Sequence, residues 1–188
     1  MNILLFDNGT KYLPELSKFL SKFGNLTITS DSSRLTSQST STDLTILSGG
    51  HSVYVIDYPE AYNAEIEFIR TSQKPIIGLC LGAELIAYTF GAKLEFLKTD
   101  EKGLININVL REDEIFKDVS NFKVYENHKV AITALPKALI GLAKSVDGFE
   151  VIKHNTKPIY GFQFHPEMFE DKTNGDEIFK NLLCLFEK

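Results

Sequence analysis

The sequence predicts an α/β fold, with one domain over residues 1–188, a central and mostly parallel sheet flanked by helices, and a small antiparallel addition. Three observations support this. Short apolar runs alternate with segments of helical periodicity through the first half of the chain, and such alternation produces parallel strands covered by helices on both faces. The second half contains short, turn-punctuated strand patterns, which indicate antiparallel pairing. The composition is 43% hydrophobic and 24% charged, which is typical of a globular domain.

The first half contains four apolar runs that predict strands, at residues 2–6, 26–29, 44–47 and 75–79. Helical spacing of apolar residues predicts helices between and after them, at residues 11–23, 62–70 and 83–90. Residues 30–43 are rich in Ser and Thr and predict either a surface loop or a weak helix around Leu35, with a regulatory phosphorylation site as a less favoured alternative. Because ligands gather at the carboxyl ends of parallel strands, we expect the site near the ends of these runs.

The second half is predicted to contain mainly strands, and it ends in a helix. The strand patterns lie at residues 93–96, 104–110, 122–125, 138–145, 148–154 and 159–164. The last of these is the strongest and leads directly into His165. The final helix, residues 176–186, has an apolar side that we expect to cover one face of the sheet.

Charge and cysteine content argue against several function classes. The formal net charge is −5 and basic residues do not occur in blocks, so we expect no nucleic-acid partner. No apolar run is long enough to cross a membrane, and the short apolar stretch at the N-terminus is not a signal peptide. With two cysteines, Cys80 and Cys184, and no sign of secretion, we expect free thiols and a cytoplasmic protein.

Cys80 stands between Gly78 and Gly82, where a predicted strand passes into a predicted helix. Glycines on both sides of a reactive residue at such a junction are typical of a nucleophile elbow. The helix N-terminus is expected to favour the thiolate and to lower the pKa of the cysteine. A buried structural cysteine is the alternative interpretation.

A thiol nucleophile needs a base, and the base needs an orienting group. His165 is the best candidate base because it also follows a strand, and Glu167 lies two residues on. In an extended backbone residues i and i+2 point the same way, so the carboxylate is expected to reach the imidazole. The other histidines have no such arrangement, and no cluster has the ligand spacing of a metal site, so none is predicted.

The sequence Gly78-Leu-Cys80-Leu-Gly82, taken with Phe164-His165-Pro166-Glu167, resembles the class I (triad) glutamine amidotransferases. The resemblance covers essentially the whole chain and implies a flavodoxin-like fold. Within that family several stretches are similar to the glutaminase part of GMP synthases, most clearly residues 157–161 and 175–182.

The resemblance implies a catalytic triad in which Cys80 attacks the side-chain amide of glutamine, His165 protonates the departing ammonia and Glu167 orients His165. Three expected site groups remain. Backbone N–H groups of Leu81 and of Gly49 or Gly50 would form the oxyanion hole. The residues expected to bind glutamine are Gly82, Glu84, Asn127 and His128.

The resemblance also implies a partner. Ammonia would pass to a separate ATP-dependent synthetase subunit that activates xanthosine monophosphate (XMP), because this chain has no phosphate-binding Gly-rich lysine motif. We expect no cofactor in this chain, since ATP and magnesium would belong to the synthetase.

The chain departs from the family at the substrate site. Glu84 stands where the family usually has Gln, and Asn127-His128-Lys129 replaces the usual His-Gly-Asp stretch. Glutamate at that position is similar to the γ-glutamyl hydrolases, so a stand-alone hydrolase of γ-glutamyl peptides and an amidotransferase subunit for another acceptor remain alternatives. A catalytically silent relative that keeps the fold is a third, which the intact Cys80, His165 and Glu167 disfavour.

Overall fold

The structure is a computed structural model that describes residues 1–117, 119 and 121–186. Within these residues it contains the strands β1 (Asn2–Phe6), β2 (Asn25–Thr29), β3 (Leu44–Leu47), β4 (Ile76–Leu79), β5 (Lys93–Val109), β6 (Asn121–Ala134), β7 (Leu139–Lys144), β8 (Phe149–His154) and β9 (Ile159–Phe162). The helices are α1 (Leu13–Leu20), α2 (Ser32–Ser39), α3 (Asn63–Thr71), α4 (Leu81–Thr89) and α5 (Gly175–Phe186), with short 3₁₀ turns at Pro59–Tyr62 and Glu114–Phe116.

The strands form one mixed sheet in the order β2-β1-β3-β4-β9-β8-β7-β5-β6. Its first half, β2 to β9, is parallel, and the pairs from β9 to β6 are antiparallel. The predicted α/β architecture, with a parallel sheet and an antiparallel addition, is therefore confirmed. The antiparallel part is larger than expected, because the patterns at 93–96 and 104–110 belong to one strand of 17 residues and β6 continues to Ala134.

Helices cover both faces of the sheet because alternate strand residues point to opposite sides. Ile3 and Leu5 of β1 belong to one apolar cluster, which α1 and α5 complete. Leu4 and Phe6 of the same strand belong to a second cluster, which is completed by α2, α3 and α4. Each strand of the parallel half is thus buried on both sides, which explains its continuous apolar run.

The Ser/Thr-rich stretch forms a helix rather than an open loop. Asp31 caps α2 by accepting a hydrogen bond from the Ser33 N–H over 3.0 Å, the usual role of Asp at a helix N-cap. Leu35 is only 1% exposed and anchors the helix in the second apolar cluster. The weak-helix interpretation around Leu35 is therefore the correct one, and its phosphorylation stays untested.

The strand ends meet at one edge of the sheet, as expected of parallel strands. The register pairs Leu47 at the end of β3 with Gly78 of β4, and Leu79 at the end of β4 with Phe162 of β9. Residues 48–50, Cys80 and the segment leading to His165 consequently leave the sheet side by side. None of the described helices combines the length and apolar composition that crossing a membrane requires.

Candidate active site at the carboxyl edge of the sheet

Cys80 occupies a sharp turn between β4 and α4. Its backbone has φ +50° and ψ −108°, a conformation that residues other than glycine seldom adopt. Two glycines let the turn close: a β-carbon on Gly78 would overlap the backbone of Gly82, and one on Gly82 would overlap the carbonyl of Leu47. The Cys80 N–H donates to the carbonyl of Phe162 over 2.8 Å. A strained residue held at a strand–helix junction in this way has the geometry of a nucleophile elbow.

His165 and Glu167 form a buried pair. Nδ1 of His165 lies 2.9 Å from Oε1 of Glu167, and the residues are 4% and 6% exposed. Their contact is made in a turn, since the Met168 N–H donates to the carbonyl of His165 over 3.2 Å. The expected extended backbone was therefore wrong, because β9 ends at Phe162. Donation from Nδ1 to the carboxylate leaves Nε2 of His165 as the second ring nitrogen, and it has no hydrogen-bond partner within the described residues.

Cys80 and His165 converge on Gly49, in the loop after β3. A β-carbon built on Gly49 would lie 3.4 Å from Cβ of Cys80, 3.4 Å from Cε1 of His165 and 3.6 Å from Oγ1 of Thr10. Gly49 thus leaves open the space that the two side chains border. An acyl group attacked by the thiol would need space of this kind.

The predicted oxyanion groups lie beside this space. Leu81 is the first residue of α4, so its N–H has no partner within the helix, and it lies close enough to Cys80 to favour the thiolate. Gly50 is packed against the Leu81 side chain, since a β-carbon there would be 2.5 Å from Cδ2 of Leu81. The structure therefore brings Gly49, Gly50 and Leu81 together around Cys80.

Tyr12 and Asn127 complete the surroundings of the thiol. Sγ of Cys80 faces the carbonyl oxygen of Asn127 at 4.0 Å, and Nδ2 of Asn127 donates to the Tyr12 hydroxyl over 2.7 Å. The ring of Tyr12 meets the His165 ring edge-on, with 4.9 Å between centroids. This ring contact adds a second restraint on the imidazole, besides its hydrogen bond with the carboxylate.

A cavity of about 130 Å³ opens over Cys80. Its wall consists of Thr10, Lys11, Tyr12, Gly50, His51, Val53, Tyr54, Cys80, Leu81, Glu84, Asp100, Asn127, His128, Lys129 and His165. Glu84, Asn127 and His128, which were expected to bind substrate, lie in this wall. Gly82, expected with them, instead packs against the carbonyl of Leu47.

Burial raises the pKa of the Cys80 thiol well above its usual value, and the nearby carboxylates of Glu84 and Glu126 raise it further. The N–H of Leu81 acts in the opposite direction but is the weaker influence. The expectation that the helix N-terminus lowers this pKa was therefore wrong for the free protein, because desolvation outweighs the helix end. The resting cysteine is a neutral thiol that needs a base to become nucleophilic.

Glu84 is 4% exposed and faces the cavity from α4. Its burial raises the pKa of the carboxyl to about 7, although the hydrogen bond from Gln163 and the charge of His128 oppose this. Near neutral pH the cavity wall consequently carries a carboxyl group that is only partly ionised.

The comparison with known families agrees with this geometry. The model of the family "Glutamine amidotransferase class-I" matches residues 4–185, which includes every group described above. The chain belongs to this family. It is accordingly a glutamine amidotransferase, a class of enzyme that uses a cysteine nucleophile.

The similar proteins are subunits of GMP synthase (glutamine-hydrolyzing). The one from Methanocaldococcus jannaschii is 33% identical over 184 residues, covering 95% of this chain and 94% of the relative. The one from Methanococcus vannielii is 32% identical and covers 98% of both chains. The solved structure of a provisionally named GMP synthase subunit from Thermoplasma acidophilum has a TM-score of 0.85 and 30% identity, and covers 100% of this chain and 94% of its own.

Several amidotransferase site residues were not predicted from the sequence. Thr10 and Tyr12 reach the site from the loop after β1, and Gln163 holds Glu84 from the end of β9. The turn signal at residues 7–9 identified that loop as a strand end, but gave no reason to select these side chains. His51 was noted only as a departure from the family, and it lies in the cavity wall with Nδ1 2.7 Å from the carbonyl of Gly9.

Proposed function

We propose that this amidotransferase hydrolyses glutamine through a Cys80–His165–Glu167 triad and passes the ammonia to a separate synthetase subunit that makes GMP from XMP. One observation carries the triad: an imidazole held by Glu167 on one nitrogen, with the other nitrogen unpartnered among the described residues, borders the same open space as the elbow cysteine.

In the first step the Cys80 thiol attacks the side-chain carbonyl carbon of glutamine while Nε2 of His165 takes the thiol proton. Proton transfer during the attack is needed because the raised pKa keeps the resting thiol neutral. The imidazolium is stabilised by the Glu167 carboxylate. It then returns the proton to the amide nitrogen, the C–N bond breaks, and ammonia leaves a glutamyl thioester on Cys80.

In the second half of the cycle water attacks the thioester. Nε2 of His165 takes a proton from the water and returns it to the sulfur, so that glutamate and the original thiol are formed. In both steps negative charge develops on the carbonyl oxygen. The N–H groups of Leu81 and of Gly49 or Gly50 would stabilise it, each by about 3 kcal/mol. None of these steps requires a cofactor in this chain.

The relatives support a synthetase partner, because they are named as subunits of GMP synthase and match this chain along nearly its full length. The decisive test is an ammonia-release assay on glutamine, with and without a synthetase subunit of GMP synthase, ATP and XMP. We expect strong stimulation by the complete partner mixture and none when XMP is omitted. Full hydrolysis without the partner, unchanged on its addition, would argue against the assignment.

A second candidate function is the hydrolysis of γ-glutamyl peptides, which Glu84 favours. A carboxylate at this position attracts the α-ammonium group of glutamine but repels its α-carboxylate. Glu84→Gln should lower the KM for glutamine by roughly tenfold if the site is a glutaminase site, since the amide replaces a repulsive charge by a donor. Loss of γ-glutamyl peptide turnover in the same variant, with glutamine hydrolysis unimproved, would favour the hydrolase.

A further inference from the structure

A cluster of buried acidic side chains lies beyond the cavity wall, among the long antiparallel strands. It consists of Glu101 on β5, Glu126 and His128 on β6, and Glu150 on β8, which are 9%, 0%, 5% and 1% exposed. One side-chain ligand atom each from Glu101, His128 and Glu150 lies within 4.8 Å of the other two. Nε2 of His128 is 3.2 Å from Oε2 of Glu101 and 3.4 Å from Oε2 of Glu126.

Polar atoms in this cluster lack the partners that burial normally requires. Both carboxyl oxygens of Glu126, Oε2 of Glu101 and Oε2 of Glu150 have no hydrogen-bond partner within the described part of the chain, and neither has Nε2 of His128. In the described residues no Lys or Arg forms an ion pair with these three glutamates. Burying several carboxyl groups in this way is unfavourable unless a cation or bound protons compensate.

The surroundings hold the candidate ligands in a metal-binding orientation. Nδ1 of His128 lies 2.8 Å from the carbonyl of Val130, so this nitrogen carries the proton and Nε2 presents a lone pair to the carboxylates. Oγ of Ser145 donates to Oε1 of Glu150 over 2.7 Å. Outer hydrogen bonds of both kinds are the usual support of metal ligands.

We propose that Glu101, His128 and Glu150, assisted by Glu126, bind one divalent first-row transition-metal ion such as Mn²⁺ or Zn²⁺. Carboxylates suit Mn²⁺ and imidazole suits Zn²⁺, whereas a ligand set with a histidine is less suited to Mg²⁺ or Ca²⁺. The ion would join β5, β6 and β8, and it takes no part in the hydrolysis itself. The sequence predicted no metal site because these ligands come from separate strands, and the binding experiment decides between the two expectations.

The test uses the full chain, stripped of metal with EDTA and titrated with Mn²⁺ or Zn²⁺ alone. We expect one ion per chain, followed for Mn²⁺ by the loss of the free-ion electron paramagnetic resonance signal. At a hundredfold excess over Kd, the melting temperature should rise by about 5 °C or more. Ser145→Ala should weaken binding by roughly 10- to 100-fold by removing the outer hydrogen bond.

Glu126→Gln and Glu150→Gln should weaken binding at least as much as Ser145→Ala. Glu65→Gln is the matched control, because Glu65 is a buried glutamate, 5% exposed, on α3, and this variant should bind the ion as the wild type does. Failure of the folded wild-type chain to bind either ion at about 1 mM would overturn the proposal, and so would binding that Glu150→Gln leaves unchanged. The first result would mean that the cluster is compensated by protons.

Discussion

Gln163 donates a hydrogen bond from Nε2 to Oε1 of Glu84 over 3.1 Å, inside the wall of the active-site cavity. The carbonyl oxygen of the same amide, Oε1 of Gln163, has no partner within the described residues. The raised pKa of Glu84 reflects burial, against which the bond from Gln163 acts. The side chain that distinguishes this substrate site is therefore also a group that titrates near neutral pH.

The stability of the protein should fall as pH rises through the titration of Glu84. Its pKa is about 7 in the folded state and near 4.5 in the unfolded chain, so the folded state holds the proton more tightly. The resulting stabilisation is complete below pH 4.5 and is lost as pH rises through about 7, a change of about 3 kcal/mol. Urea unfolding with EDTA at pH 5 and pH 8 measures it.

Glu84→Gln should reduce that decline in the free energy of unfolding by about 3 kcal/mol. Glu15→Gln, at an exposed position on α1, serves as the control and should decline like the wild type. An unchanged pH dependence in Glu84→Gln would show that Glu84 is ionised throughout this range.

Cys80→Ser should lower glutamine hydrolysis by roughly 10⁴-fold or more, because a hydroxyl replaces the nucleophile. The fold should be retained, since the two side chains are nearly the same size and the backbone turn depends on the adjacent glycines. Cys184→Ser is the matched control at the other free cysteine, which is exposed, and it should keep full activity. Near-normal hydrolysis by Cys80→Ser would remove this residue from the mechanism.

Glu167→Gln should lower kcat by about 10²- to 10⁴-fold, because the amide stabilises neither the required tautomer of His165 nor the imidazolium. The KM for glutamine should change little. Glu177→Gln, on the exposed side of α5, provides a comparison with the same chemical change elsewhere. Equal kcat values for the two variants would mean that Glu167 has only a structural role.

Gly49→Ala should fold normally but lose about 100-fold or more in hydrolysis. The added methyl group would make ordinary contacts of 3.4 Å with Cβ of Cys80 and Cε1 of His165, so the chain can accommodate it. It would, however, occupy the space where the reacting amide is expected, and displacements of about 1 Å cost roughly this much. A normal melting temperature combined with normal activity would place the reacting group elsewhere.

The parallel half of the fold could be predicted from the sequence because each strand is buried on both faces and ends in a turn signal. The antiparallel half was harder to delimit. The charged stretch from Asp100 to Lys102 interrupts the apolar pattern of β5, and the structure has a register irregularity between Phe96 and Glu101. In β6, the polar residues Glu126 and His128 point into the protein, so alternation by residue type ends at Tyr125 although the strand continues.

At the active site the sequence identified the side chains that follow strand ends, and it failed where position depends on three-dimensional environment. The residue types and spacing around Cys80 and His165 were sufficient to select them. The direction of the Cys80 pKa was not predictable, because it depends on burial and on Glu126, which is distant in sequence. Tyr12 was missed for the same reason, since its contact with His165 joins opposite ends of the chain.

Strand β6 gives the site a thermodynamic consequence. Asn127, whose carbonyl faces the Cys80 thiol, lies between Glu126 and His128, which belong to the acidic cluster. A ligand or proton that changes the spacing of those two side chains also displaces the peptide groups of Asn127. Reciprocal linkage then requires that glutamine, if it shifts Asn127 on binding, changes the affinity of the cluster for its cation or proton by the same factor. Substrate binding would consequently be accompanied by a measurable uptake or release of protons or metal.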